Sequence, residues 1–103
     1  MGTMRTIMVV DDEQALQDTI ARYLAEEDIQ VLAAATNRDA VSQLEDKKEH
    51  EVELILVNRQ IPGTTIRALY PVRPGEKTQD LQETFLFKPF TKQQLLSFLH
   101  NQL

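Results

Sequence analysis

Two periods of apolar residues alternate along the chain. Thr6 to Val10 is a short β-branched run, apolar on both faces, which suits a parallel strand covered on both sides. From Glu13 to about Glu26 the residues Leu16, Ile20, Tyr23 and Leu24 recur at helical spacing, and Asp12 is placed to cap this first helix. Ile29 to Ala35 reads as a second strand. Asn37 can cap a second helix with Ala40, Val41 and Leu44 on one face, which runs out in the charged stretch Glu45 to Glu51. Leu54 to Val57 is a third strand and Thr84 to Phe87 another. Lys88-Pro89 makes a turn, and Thr91 caps a last helix with Leu95, Leu96, Phe98 and Leu99 inward and Gln94 placed for a capping box.

Strands alternating with helices at this spacing imply an α/β fold, doubly wound around a mainly parallel sheet. In such sheets ligands bind beyond the carboxyl ends of the strands. Asp11, Asp12, Asn58 and Lys88 all lie at predicted strand ends, so polar residues far apart in sequence converge on one rim.

Composition narrows the class without naming a chemistry. The 103 residues suffice for one domain, 1–103, and Met1-Gly2-Thr3 carries no structural weight. A net charge of −5 with no cluster of Lys and Arg argues against a nucleic-acid partner. No apolar stretch approaches membrane-spanning length, so no membrane partner is expected. The chain has no cysteine, which removes disulfides and thiolate metal sites and fits a cytoplasmic protein. His50 and His100 fall in a charged segment and on the last helix, where solvated surface is the better reading.

The residues at the rim resemble the receiver domain of two-component response regulators. The likeness rests on Val9-Val10-Asp11-Asp12-Glu13, on Leu54-Ile55-Leu56-Val57-Asn58 with Pro62-Gly63, and on Phe85-Leu86-Phe87-Lys88-Pro89-Phe90. It implies the flavodoxin-like receiver fold, strand order 2-1-3-4-5. It also implies that Asp11 and Asp12 match a magnesium-binding acidic pair, Asn58 the phosphoacceptor aspartate, Lys88 the lysine that pairs with phosphoryl oxygens, and Phe85 a moving aromatic. The Lys88-Pro89 bond is then expected to be cis.

The departures from that pattern are as informative as the matches. Asn58 is neutral and cannot attack phosphorus as a carboxylate does, though its carbonyl oxygen remains a metal donor. Asp11, Asp12 and Asn58 thus make a weak or vestigial magnesium site; no cofactor is required, and Lys88 becomes a structural cation for Asp11 and Asp12. The hydroxyl of the family's switch has no match; Tyr70 or Pro71 falls near its position. Residues 59 to 83 are too few for a helix, a strand and another helix. Two readings of Ile66 to Tyr70 stand. In the favoured one it is a fourth strand reached through an extended Arg59 to Thr65, which spans roughly 23 Å, and the third helix is missing. In the other, Ile66, Leu69 and Tyr70 form one face of a short helix stopped by Pro71.

These observations lead to an atypical, phosphorylation-independent receiver, a pseudo-receiver that is not an enzyme and acts as a protein-interaction module in bacterial signalling. Expected partners are a histidine kinase, an output domain or a regulator, or a second copy through the shortened sheet face or the last strand and helix. The alternative is a conventional magnesium-dependent phosphoacceptor response regulator carrying an engineered Asp-to-Asn change at Asn58.

Overall fold

The computed structural model describes residues 5–46, 52–73 and 85–103. In chain order the elements are β1 (Arg5–Val10), α1 (Gln14–Ala25), β2 (Ile29–Ala34), α2 (Asn37–Asp46), β3 (Leu54–Gln60), β4 (Arg67–Val72), β5 (Leu86–Phe87) and α3 (Lys92–Gln102). His50, most of the charged stretch after Glu45, and Thr84 lie outside the described residues. The fold is α/β, with one five-stranded sheet in the order β2-β1-β3-β4-β5. No helix among the described residues is long and apolar enough to cross a membrane.

The sheet is mixed, which corrects the expectation of a mainly parallel one. β1 pairs in parallel with β2 and β3, whereas β4 is antiparallel to both β3 and β5. Residues 66–70 fall on an extended segment and not on a helix, but the chain does not run back along the sheet before entering it. Instead β3 continues through Arg59 and Gln60 and turns over directly, so no helix lies between β3 and β4. The reversal comes from Pro62-Gly63. Thr64 N donates to Ile61 O at 3.1 Å, and Gly63 has φ +81°. Proline at the second position and a left-handed glycine at the third is the signature of a type II turn. Ile61 N then donates to Ile66 O at 2.8 Å, which closes the hairpin.

Side-chain alternation divides the core into two layers. Ile7, Val9, Leu54, Leu56, Leu69 and Leu86 face α1 and α3, where they pack with Ile20, Leu24, Leu95, Phe98 and Leu99. Met8 and Val10 face α2 and pack with Ala34, Ala40 and Val52. Of the predicted face of α2, Ala40 is buried but Val41 is exposed. The inward residues of α3 hold as read, with Leu96 only partly buried.

Caps explain where the helices start. α3 carries the full box: Gln94 N donates to Thr91 Oγ1 and Thr91 N donates to Gln94 Oε1. In α2 the cap is Thr36, one residue before the predicted Asn37, because Thr36 Oγ1 accepts from Asp39 N at 3.0 Å. α1 is not capped by Asp12. Its N-cap is Glu13, whose side chain makes no cap bond.

A surface pair, Lys92 with Glu26, ties α3 to the end of α1. The Lys92 hydrogen bond and charge hold the Glu26 carboxyl below its ordinary 4.5, and the bond to Glu26 raises Lys92 above its ordinary 10.5. The Glu26 contribution is present above its unfolded value and lost as pH falls through the lowered one. That of Lys92 is present below its unfolded value and lost as pH rises through the raised one. Both groups are exposed, so the pair adds little at any pH.

The turn yields a test. No other atom lies within 4 Å of a Cβ built on Gly63, so only backbone conformation opposes a side chain there. Gly63→Ala is expected to cost about 1 kcal/mol in urea unfolding, and Gly63→Asn less, since asparagine tolerates the left-handed region. Equal stability of all three proteins would exclude the type II turn.

Candidate functional site

Three of the four predicted rim residues share one face of the sheet. Asp11 continues the alternation of Ile7 and Val9, Asn58 that of Leu54 and Leu56, and Lys88 that of Leu86, all toward α1 and α3. The last β1–β3 pair is Val10 with Val57, so Asp11 and Asn58, one step further on, are level with one another. Asn58 is not the end of its strand, as the sequence suggested. It is the first residue of β3 beyond the cover of β1, and it pairs with Leu69 inside the hairpin.

At the centre of the site is a buried ion pair. Lys88 Nζ donates to Asp11 Oδ2 at 2.6 Å and to Glu13 Oε1 at 3.0 Å. The Asp11 side chain is 0% exposed and that of Lys88 13%, so this bond is largely shielded from water. The second oxygen of Asp11 accepts from Glu13 N at 2.9 Å. Lys88 is therefore a cation for Asp11 and Glu13, not for Asp11 and Asp12; Asp12 is exposed beside them. Two backbone features fix Lys88: its N–H donates to Arg67 O at 3.0 Å, and the Lys88-Pro89 bond is cis, as the resemblance implied.

Gln17 supports the carboxylate from below and was not identified as a site residue from the sequence. It is buried on the inner face of α1 with Ile20 and Leu24. Its Nε2 donates to Val9 O at 2.8 Å, Asp11 O at 3.0 Å and Ala34 O at 3.3 Å. One amide thus binds the carboxyl ends of both β1 and β2, where Ala34 O also accepts from Asp11 N at 2.9 Å; the Gln17 Oε1 is buried and has no hydrogen-bond partner among the described residues. A polar residue at the i position of an i, i+3, i+7 apolar stripe was the signal that could have found it.

Asn58 Oδ1 is buried and has no hydrogen-bond partner among the described residues, so its oxygen is not recruited into the ion pair. Magnesium requires several oxygen ligands at about 2.1 Å in near-octahedral order. Here both oxygens of Asp11 are already engaged, one by an ammonium that would repel the ion. Among the described residues no group of three or more His, Asp or Glu is placed to hold a metal. Asp11, Asp12 and Asn58 as they stand do not fit a magnesium site.

Tyr70 and Phe85 stand apart from this rim. With β4 reversed, its amino end reaches the rim and its carboxyl end points back into the sheet, where Tyr70 pairs with Val57. Tyr70 therefore lies on the α2 face, opposite to Asp11 and Lys88. There it stacks on Phe85 with centroids 4.3 Å apart, Phe85 meets Phe87 edge-on at 6.0 Å, and the Arg59 guanidinium sits 5.0 Å over Tyr70. Pro71, likewise proposed near the missing hydroxyl, is half-buried in the hairpin opposite Leu56. The residues that do reach the rim from β4 are Arg67 and the preceding Thr65 and Ile66, which share a groove with Lys88.

Comparison of the chain with protein-family models, with curated proteins and with solved structures finds no match.

The ion pair makes a quantitative expectation. Lys88→Met would leave a buried carboxylate without its cation and should cost about 3 kcal/mol of unfolding free energy. Adding Asp11→Asn should restore part of that loss, and a double-mutant cycle in urea reads the coupling. Additive losses would mean that the two groups do not depend on each other.

Proposed function

We propose that the chain is a phosphorylation-independent receiver-like module, one that signals by contact with other proteins in a cytoplasmic regulatory pathway. The observation that carries this reading is the state of the rim. A neutral asparagine stands level with Asp11, and Lys88 is committed to Asp11 and Glu13. No ionised oxygen occupies the acceptor position, and the ammonium that would meet incoming phosphoryl oxygens is already neutralised.

The aromatic arm supports the same reading. In a phosphorylation switch the aromatic must answer to events at the acceptor. Here Phe85 is stacked on Tyr70 across the sheet from the ion pair, with the guanidinium of Arg59 closing the stack. The proposed module changes state by differential affinity of its conformations for a bound partner or ligand. Its contact surfaces are the α2 face around Phe87, which is 54% exposed, and the face formed by β5 and α3. Histidine kinases, output domains and regulators are the partner classes that this reading predicts, with self-association through either surface as a further mode. The fold is then a receiver fold in which β4 has been reversed and the third helix dispensed with.

Intact-mass measurement after incubation with magnesium and acetyl phosphate tests the proposal. Neither the chain itself nor an Asn58→Asp variant should gain the about 80 Da of a phosphoryl group. An adduct on the chain itself would sink the reading. An adduct on the variant alone would mean that the rest of the phosphoryl machinery is intact, which favours the conventional receiver with a single exchanged residue.

A further inference from the structure

The β4 reversal builds a groove that the sequence did not announce. It is an open groove of about 520 Å³, bordered by the first turn of α1 at Glu13 and Leu16, by the hairpin end at Thr65, Ile66 and Arg67, and by the loop from Lys88 to Phe90. That volume lies within the range of small-molecule sites. A trough of about 600 Å³ runs along α3, but it is lined by one helix alone and gathers no group from elsewhere in the chain.

The groove has an apolar floor and, at the hairpin side, a guanidinium. Leu16 and Phe90 are packed against the core but only partly buried, and Ile66 is 47% exposed. Lys88 faces two carboxylates, Asp11 and Glu13, so these three groups together carry one net negative charge at the α1 side of the groove. Arg67 is exposed, and among the described residues its guanidinium has no carboxylate partner. The hydroxyl of Thr65, next to it, makes no hydrogen bond among them either. An apolar surface bordered by a guanidinium and a hydroxyl that have no partner among the described residues is complementary to a molecule with an apolar body and one anionic head.

We propose that this groove binds a small amphiphilic monoanion, an aryl or alkyl carboxylate whose body rests on Leu16, Ile66 and Phe90 and whose carboxylate accepts from Arg67 and Thr65. The site rests on the reading of the chain as a module set by non-covalent contact, and it names an input for it. A ligand there touches Glu13, which holds the Lys88 ammonium, and Arg67, whose carbonyl holds the Lys88 N–H at 3.0 Å. Binding energy at the groove is thereby delivered to the ion pair at the rim.

Titration with 4-phenylbutyrate, followed at backbone amides by nitrogen-15 NMR, tests the proposal. Saturable shifts are expected at Leu16, Ile66, Arg67 and Phe90 with a Kd of about 1 mM, the strength that the contacts of so small a probe can reach. Arg67→Gln and Arg67→Ala should each weaken binding about fivefold or more, and the neutral 4-phenylbutanol should be weaker than the acid by a similar factor. Ile66→Asp should abolish it. Both positions are exposed, and the spectra of the variants report directly on folding. Shifts confined to Tyr70, Phe85 and Phe87, equal binding of acid and alcohol, indifference to Arg67, or no saturable response would each overturn the site. None of these results would alter the outcome with acetyl phosphate, and a phosphoryl adduct would leave the groove titration unaffected.

Discussion

A carboxylate taken out of water must meet a compensating charge, and that requirement organises this protein around Asp11. The side chain is fully enclosed between β1 and α1, and its cation comes from a residue 77 positions away. To deliver that cation, β5 must lie in the sheet and the cis Lys88-Pro89 turn must hold the stem. Arg67 must also be near enough for its carbonyl to receive the Lys88 N–H. The pair therefore joins the first and last units of the chain through the reversed strand between them. Removing one charge alone is much costlier than removing both, because what destabilises a buried ion pair is the member left behind.

Gln17 does for the backbone what Lys88 does for the side chain. The two parallel strands β1 and β2 end in carbonyls that point toward α1, and a single amide answers three of them. A leucine would fill a similar volume and donate to none of them; Ala34 O would keep its bond from Asp11 N, and any buried acceptor left without a donor costs on the order of 1–3 kcal/mol. The helix α1 is thus held both by its apolar stripe and by a polar pin that fixes its rotation over the strand ends.

The sequence made much of this legible, for reasons that differ by element. Thr6 to Val10 was readable because a strand covered on both faces has to be apolar on both, and Thr91 with Gln94 because a capping box is a local arrangement needing no tertiary partner. The caps of α1 and α2 were each misplaced by one residue, since Asp11, Asp12 and Glu13, or Thr36 and Asn37, offer several competent side chains in a row. The direction of β4 was lost for a different reason. Pro62-Gly63 is the standard pair for a type II turn, but the resemblance assigned it to a loop after the third strand and so set the strand length too short. With the direction of β4 went the placement of Tyr70, because reversing a strand exchanges which of its ends meets the rim. Asp11, Asn58 and Lys88 do come together on one face of the sheet, because their positions depend on β1, β3 and β5, whose directions do not change.

The short last strand limits how anything can join this sheet. β5 contributes only two residues, and the proline that follows has no N–H to offer a neighbour. At that edge a second chain would find almost no main-chain ladder to extend, which is how natural sheets discourage unplanned strand pairing. The opposite edge, β2, has six residues, but the carbonyl of Ala33 is already occupied by the Gln43 amide at 2.8 Å. Association by strand addition is thus disfavoured at β5 and impeded at β2. Recognition falls to side chains on the faces, where specificity can be set one residue at a time.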